Sequence, residues 1–443
     1  MSTVQPSLHA TFGGVADDGL FRRMESEVRV YCRAFPTVFD RASGVELFDV
    51  GGRRYLDLLS GAGVLNYGHN PPEIVQDVTR YIARGGIVHG LDLHTVAKRR
   101  FLDALDRLIL RPRGLDYKVQ FTGPTGTNAV EAAMKLARRV TGRTSIIAFT
   151  NGYHGVSLGA LAATGNSGKR RAAGTPLGGV DRMPFDGYFG DGTDTAAYLD
   201  RMLSDSGSGI DQPAAILLET VQAEGGVRVA SDAWLRSIAD IACRHGALLI
   251  VDDIQAGCGR TGAFFSFESS GIRPDIICLS KAIGAMGLPM SLVLMVPGHD
   301  LWRPGEHNGT FRGNNLAFIA GAAAIERYWS DDTLERGTEA RRRQLVTRVS
   351  EIAARLSPGE LSLRGKGLVQ GLCWRDPTIA ALVSSAAFER GLIVETCGPE
   401  DEVLKLLPPL TISQAEMAEA LDLLEEAILS VYQPLRVAPL LRV

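Results

Sequence analysis

The sequence predicts an α/β fold: a large, mostly parallel sheet covered by helices, with a smaller α+β domain beside it. Three features predict it. Short apolar runs of strand length recur through the middle of the 443-residue chain. Helical patterns separate several of them. From about Asp331 the texture changes to a long charged helix followed by a few strands. Alternating β and α segments imply parallel strands joined by crossover helices, and therefore a sheet buried on both faces.

The elements follow in order. Residues 1 to about 30 are weakly patterned and read as an arm, either mobile or ordered against a partner. FDVGGRRYLDLL (Phe48 to Leu59) reads as a hairpin about Gly51-Gly52. In FTGPTGTNAVEAAMKLARRV (Phe121 to Val140), apolar residues recur at helical spacing at Val130, Ala133, Met134 and Ala137. SIIAF (Ser145 to Phe149), AAILLE (Ala214 to Glu219), ALLIVD (Ala247 to Asp252) and DIICLS (Asp275 to Ser280) read as buried strands, with a helix over Ala233 to His245. A charged helix over Asp332 to Leu356, strands around Leu361 to Trp374 and a last helix from about Ser413 to Tyr432 make the second domain. The expected division is 71–330 for the large domain, with 1–70 and 331–443 forming the small one.

Composition narrows the function. A formal net charge of -3 lacks the basic excess of a nucleic-acid binder. The 6 cysteines include no C-x-x-C pair and read as reduced thiols. The first twenty residues lack a basic start followed by an apolar block, and runs such as SLVLMV (Ser291 to Val296) are too short to span a bilayer. A cytoplasmic protein is expected. His89, His94, His154, His245 and His307 are not spaced as metal ligands and read as solvated or packing side chains.

Three apolar strands end in chemistry: one at Glu219, one at Asp252 and one just before Lys281. Ligands of open α/β sheets bind outside the carboxyl ends of the strands, so these residues mark a candidate site on one rim. Each alone has an ordinary reading, as a helix cap or a solvated charge. The small, hydroxyl-rich stretch Gly123 to Thr127 precedes a helix whose unpaired N–H groups and dipole suit a phosphate, although it also reads as a plain capped helix start. No G-K-[ST] follows, which disfavours an NTPase. NGYHG (Asn151 to Gly155) follows a strand, where an aromatic ring can stack on a flat ligand.

Six ordered segments carry a resemblance: TGTNAVEAAMKLAR, NGYHG, ETVQAEGG (Glu219 to Gly226), VDDIQAGCGRTG (Val251 to Gly262), LSKAIG around Lys281, and GTFRGNN (Gly309 to Asn315). The chain resembles the class III pyridoxal-phosphate (PLP) aminotransferases over about Phe35 to Ile428. The resemblance implies the fold-type I, aspartate-aminotransferase-like architecture and a homodimer with a shared active site; pairing into tetramers stays open. It implies that Lys281 carries PLP as a Schiff base and then shuttles the proton. Asp252 should face the pyridine nitrogen, with Asp253 turned away by strand alternation. Gln255 should face the phenolic oxygen, Tyr153 stack on the ring, and Gly126 and Thr127 hold the phosphate, with Glu219 beside the cofactor. Thr310 should be a phosphate ligand donated by the neighbouring subunit.

Many class III members pair an EGG-type glutamate, here Glu224, with a late arginine that is released to hold a carboxylate. In EVLKLLPPLTI (Glu402 to Ile412), Lys405 stands at that arginine's place. Lysine is a point charge without the bidentate grip of arginine. This departure, with GAGVLNYGHN, GGIVHGLDLHT and WRPGEHNGTFRGNNLAF, is similar to the L-2,4-diaminobutyrate:2-oxoglutarate aminotransferases of ectoine biosynthesis. Asn66, Tyr67 and Lys405 are candidates for holding the distal end of the substrate. Other readings stay open: an ω-aminotransferase acting on another diamine or amino acid, other PLP chemistry such as racemisation, amino-group migration or decarboxylation, or a non-enzymatic role on the same scaffold.

Overall fold

A computed structural model describes residues 19–190 and 192–437, with side chains as far as Tyr432. The first 18 residues of the expected arm lie outside the described residues. A seven-stranded sheet carries the fold, in the order Lys118–Phe121, Leu292–Met295, Ile276–Leu279, Leu248–Asp252, Ala215–Leu218, Ile146–Phe149 and Val180–Met183. All four strands expected from the apolar runs are in it. Neighbours from Ile276–Leu279 to Val180–Met183 pair in parallel. Leu292–Met295 runs antiparallel to both its neighbours, so the sheet is mixed.

Strand alternation sorts the side chains into two cores. Phe149, Leu218, Val251 and Leu279 enter one. Ala148, Leu217, Ile250 and Cys278 enter the other. The helix Gly126–Thr141 covers the second face with Val130, Ala133, Met134 and Ala137, and ends at Gly142, whose φ of 71° is the left-handed conformation glycine permits. The helix Asp232–Arg244 covers the first with Leu235, Ile238 and Ile241, and Ser231 caps it by accepting the Trp234 N–H at 3.2 Å.

An early hairpin meets the later part of the chain. Glu46–Asp49 and Arg54–Asp57 form the expected hairpin, and Leu392–Ile393 adds to it in parallel. A separate sheet has the order Leu361–Lys366, Val369–Trp374, Val403–Leu406, Glu395–Cys397. The helices Thr333–Ala353 and Ile379–Glu389 pack against it, and Gln414–Val437 packs on both of them. No described helix is long and apolar enough to cross a membrane.

Arg260 ties these regions together. It is fully buried, and burial pulls its pKa down to about 9. Its guanidinium donates to the carbonyls of Leu368 (3.0 Å) and Pro408 (2.5 Å) and to Asn66 Oδ1 (2.6 Å). Arg260→Met would leave these three acceptors in a dry interior without donors. It should lower stability by about 3 kcal/mol. Thermal unfolding of the loaded enzyme checks this, and an unchanged Tm would show that the acceptors find other donors.

Candidate active site

A cavity of about 340 Å³ opens at the carboxyl ends of the parallel strands. It is lined by Gly126, Thr127, Tyr153, Glu219, Asp252, Gln255 and Lys281, so it gathers residues from five separate stretches of chain. A larger hollow of about 650 Å³ near Trp302 and Arg312 contains none of them. The smaller one holds the converging reactive groups.

Lys281 follows the strand Ile276–Leu279 at the start of a short helical turn, with φ of 52°. A non-glycine residue in the left-handed region carries about 1–3 kcal/mol of strain, a conformation typical of residues held for function. Burial lowers the pKa of its ammonium, and Glu224, Glu395 and Asp252 only partly oppose this. A lysine so placed is shifted toward the free amine that nucleophilic and proton-transfer chemistry require.

Asp252 ends its strand 5% exposed. Its Oδ2 accepts from His154 Nδ1 at 2.7 Å, and its Oδ1 from the Ile254 N–H at 3.3 Å. The next residue turns the other way, as alternation requires. Asp253 Oδ2 accepts the Ser266 N–H at 3.1 Å, and burial pushes its carboxyl up to about 7. Only Asp252 faces the cavity. His154, expected to be a packing or solvated residue, is buried and is the hydrogen-bond partner of Asp252. The contact with Asp252 spans 98 residues, so no signal local to NGYHG could have found it.

Glu219 is buried and accepts the Tyr153 N–H at 2.9 Å, which fixes the aromatic loop. Burial and the nearby Asp252 push its carboxyl well above the usual range. At the helix Gly126–Thr141, Thr125 makes no capping bond to the helix and spends its hydroxyl on Asn128 Oδ1 at 2.8 Å. The first turn carries no acidic residue. Its N–H groups and positive dipole end are thus open to an anion. A Cβ on Gly126 would lie 3.0 Å from Ile254 Cδ1, and one on Gly155 would lie 2.5 Å from Thr127 Oγ1, so both glycines keep the cradle free.

Gln255 Nε2 donates to Ala62 O (2.8 Å) and to Glu224 Oε1 (3.0 Å), and Gln255 Oε1 is buried without a partner. Both donors are committed, so the amide reaches a phenolic oxygen only by leaving one of these acceptors. Glu224 Oε1 also accepts from Lys405 Nζ at 2.5 Å. Burial works to raise the Glu224 pKa, but the Lys405 and Lys281 ammoniums outweigh it and bring it to about 2. Burial likewise works against the Lys405 charge, yet Glu224 and Glu395 hold its pKa above the usual lysine range.

Three expected site residues lie outside this chain's cavity. Asn66 is fully buried outside the cavity, donating to Cys258 O at 2.9 Å and accepting from Arg260. It is a packing residue here. Tyr67 is buried too, its hydroxyl accepting from Trp329 Nε1 at 2.9 Å. Thr310 is exposed, its carbonyl accepting from His89 Nε2 at 2.8 Å, and does not line this chain's cavity. Two residues near the cavity were not foreseen. Glu395 lies across from Lys405 in the sheet register. Tyr31, from the N-terminal segment, has its hydroxyl pKa raised by burial and then by Glu395 and Glu224.

Comparison with known proteins places this geometry. The family model for aminotransferase class III matches residues 29–428. An uncharacterized aminotransferase of Sinorhizobium fredii is 55% identical over 408 residues, covering 92% of this chain and 91% of that protein. Proteins named diaminobutyrate–2-oxoglutarate transaminase are 54% identical in Bordetella parapertussis (92% of this chain, 94% of that one) and 54% in Nocardia farcinica (93% and 94%). The fold is shared with an ornithine aminotransferase from Toxoplasma gondii (TM-score 0.81, 24% identity, 94% of this chain and 95% of that one). It is shared too with an S-selective transaminase from Arthrobacter sp. (TM-score 0.84, 20% identity, 94% and 98%). With the family pattern running through nearly the whole chain, and an amine, a buried carboxylate and an open helix start around one cavity, this chain belongs to the class III aminotransferases and is a pyridoxal 5'-phosphate-dependent transaminase.

Proposed function

We propose that this enzyme is a diaminobutyrate–2-oxoglutarate transaminase. It interconverts L-aspartate 4-semialdehyde plus L-glutamate with L-2,4-diaminobutyrate plus 2-oxoglutarate in a ping-pong cycle. The observation that carries the reading is the 2.5 Å Glu224–Lys405 pair, a lysine where a carboxylate-gripping arginine would be the general choice. The similarity to relatives of that name over 92% of the chain supports it.

When bound, the cofactor supplies an aldehyde for the amine and a ring that stores the electron pair released at the substrate carbon. Lys281 holds the cofactor and, as a free amine, moves the proton at the reacting carbon. Asp252, its charge supported by His154, holds the proton on the ring nitrogen. The helix start at Gly126 and Thr127 takes the phosphate, and Tyr153, anchored through Glu219, covers the ring. Gln255 is the donor available to the phenolic oxygen once it releases Glu224. Opening the Glu224–Lys405 pair frees Lys405 for the distal carboxylate of glutamate.

The enzyme works as a homodimer in this reading, with Thr310 reaching the partner's phosphate. Support comes from the apolar side chains Ile87, Val88, Leu91 and Phe311, exposed on the Thr310 side of the molecule, a face that a second copy would cover. We further propose residues 71–330 as the cofactor domain against a small domain of 1–70 and 331–443, a cytoplasmic location, and a place in ectoine biosynthesis.

The deciding experiment mixes the PLP-loaded enzyme separately with L-glutamate, L-2,4-diaminobutyrate, L-ornithine and 4-aminobutyrate while following the cofactor's visible band. Glutamate and diaminobutyrate should bleach it and the other two should do so little. Conversion by glutamate without diaminobutyrate would overturn the substrate and keep the transaminase. The control, Lys281→Ala, should react with none of them while melting like the parent. Asp252→Asn should lower kcat about a hundredfold or more with a far smaller change in KM, because it removes a preorganised charge facing the electron sink. An unchanged kcat would remove Asp252 from that role. For Thr310→Ala, the Kd for PLP should rise about tenfold, as expected for a lost hydrogen bond to a charged group. Equal affinity would take Thr310 off the phosphate.

A further inference from the structure

Lys405 is fully buried and shared by two carboxylates, Glu224 at 2.5 Å and Glu395 at 3.0 Å. The hydrogen bond goes to Glu224. Glu395 Oε1 is buried and lies near the ammonium without a geometric hydrogen bond to it, and the Tyr31 hydroxyl is the other polar group beside this carboxylate. The residue is 8% exposed. One cation between two carboxylates leaves the cluster a negative charge in excess if both ionise. Burying such a charge is expensive unless a second cation arrives. Burial accordingly pushes the Glu395 carboxyl upward, with Lys405 opposing and Glu224 reinforcing. The cluster also acts electrostatically on Lys281, where the amine reacts. A pair of Glu224 and Lys405 alone would be balanced and would need no third group. Glu395 is the surplus, and its Oε1, which makes no hydrogen bond, leaves an acceptor of the kind a buried ammonium requires.

The substrates of the proposed reaction differ at the end away from the reacting nitrogen. Glutamate, held by its α-amine, presents a lone carboxylate at its far end. A diamino acid, held by its terminal amine, presents an α-ammonium together with an α-carboxylate, as does the semialdehyde. We propose that Glu395 is the receptor for that distal ammonium, a specificity-determining residue that admits α,ω-diamino acids, while Lys405 serves the carboxylate of either substrate. This rests on the transaminase acting on a diamino acid, and deepens that reading.

The test compares the half-reactions of the PLP-loaded parent and of Glu395→Gln with L-2,4-diaminobutyrate and with L-glutamate. Glutamine keeps the shape and removes the charge. The ratio of kcat/KM for diaminobutyrate to that for glutamate should fall at least tenfold, mostly through a higher KM for diaminobutyrate. A loss shared equally by both substrates would mark a structural role and overturn the proposal, as would an unchanged ratio. Glu395→Asp should recover part of the ratio, which separates loss of charge from misfolding. If the parent converts L-ornithine but not diaminobutyrate, the substrate reading falls, and the same ratio taken with ornithine decides the role of Glu395. A parent that converts no α,ω-diamino acid overturns it.

Discussion

A parallel sheet covered on both faces has room for charge only at the ends of its strands, and the organisation of this enzyme follows from that constraint. The side chains of Ile146–Phe149, Ala215–Leu218, Leu248–Asp252 and Ile276–Leu279 divide between two apolar cores. Polar chemistry is thereby driven to the carboxyl edge, where Glu219, Asp252 and Lys281 emerge within one cavity. Each arrives in a setting of low dielectric, and each must be supported by something nearby. Asp252 takes His154, Glu219 takes a backbone N–H, and Lys281 is left with a lowered pKa and a strained backbone. The unsupported member is the one suited to react.

The second layer of the site is a chain of contacts running away from the cofactor cavity. Gln255 bonds Glu224, Glu224 bonds Lys405, and Lys405 lies between Glu224 and Glu395. These groups come from the large sheet's loops and from the separate C-terminal sheet, so this end of the site is built where the two meet. Arg260 performs the corresponding structural task in a dry environment, using carbonyls and Asn66 in place of a carboxylate. One junction is therefore held by dipoles and the other by charges.

Much of this was legible in the sequence. Apolar runs of strand length could be read directly, because burial on both faces leaves no polar residues to interrupt them. Lys281 and Asp252 could be read because each terminates such a run, and because the segments around them resemble a family. The helix start at Gly126 showed in its composition. Asn66, a candidate for the distal end of the substrate, instead accepts from the buried Arg260, a partner 194 residues away that nothing local encodes. His154 was passed over because nothing local to NGYHG reveals a strand end 98 residues later.

The sequence by itself determined the fold class, the strands and the reactive residues at their ends, because periodicity and strand termination are local properties that neighbouring residues encode. Only the tertiary structure decided which groups face one another. The pairing of Lys405 with Glu224 spans 181 residues, and the position of Glu395 across from Lys405 depends on the register of two antiparallel strands. Whether a buried carboxylate is neutralised, paired or left with a free oxygen depends on those long-range neighbours. That difference separates a residue that holds the fold from one that can hold a substrate.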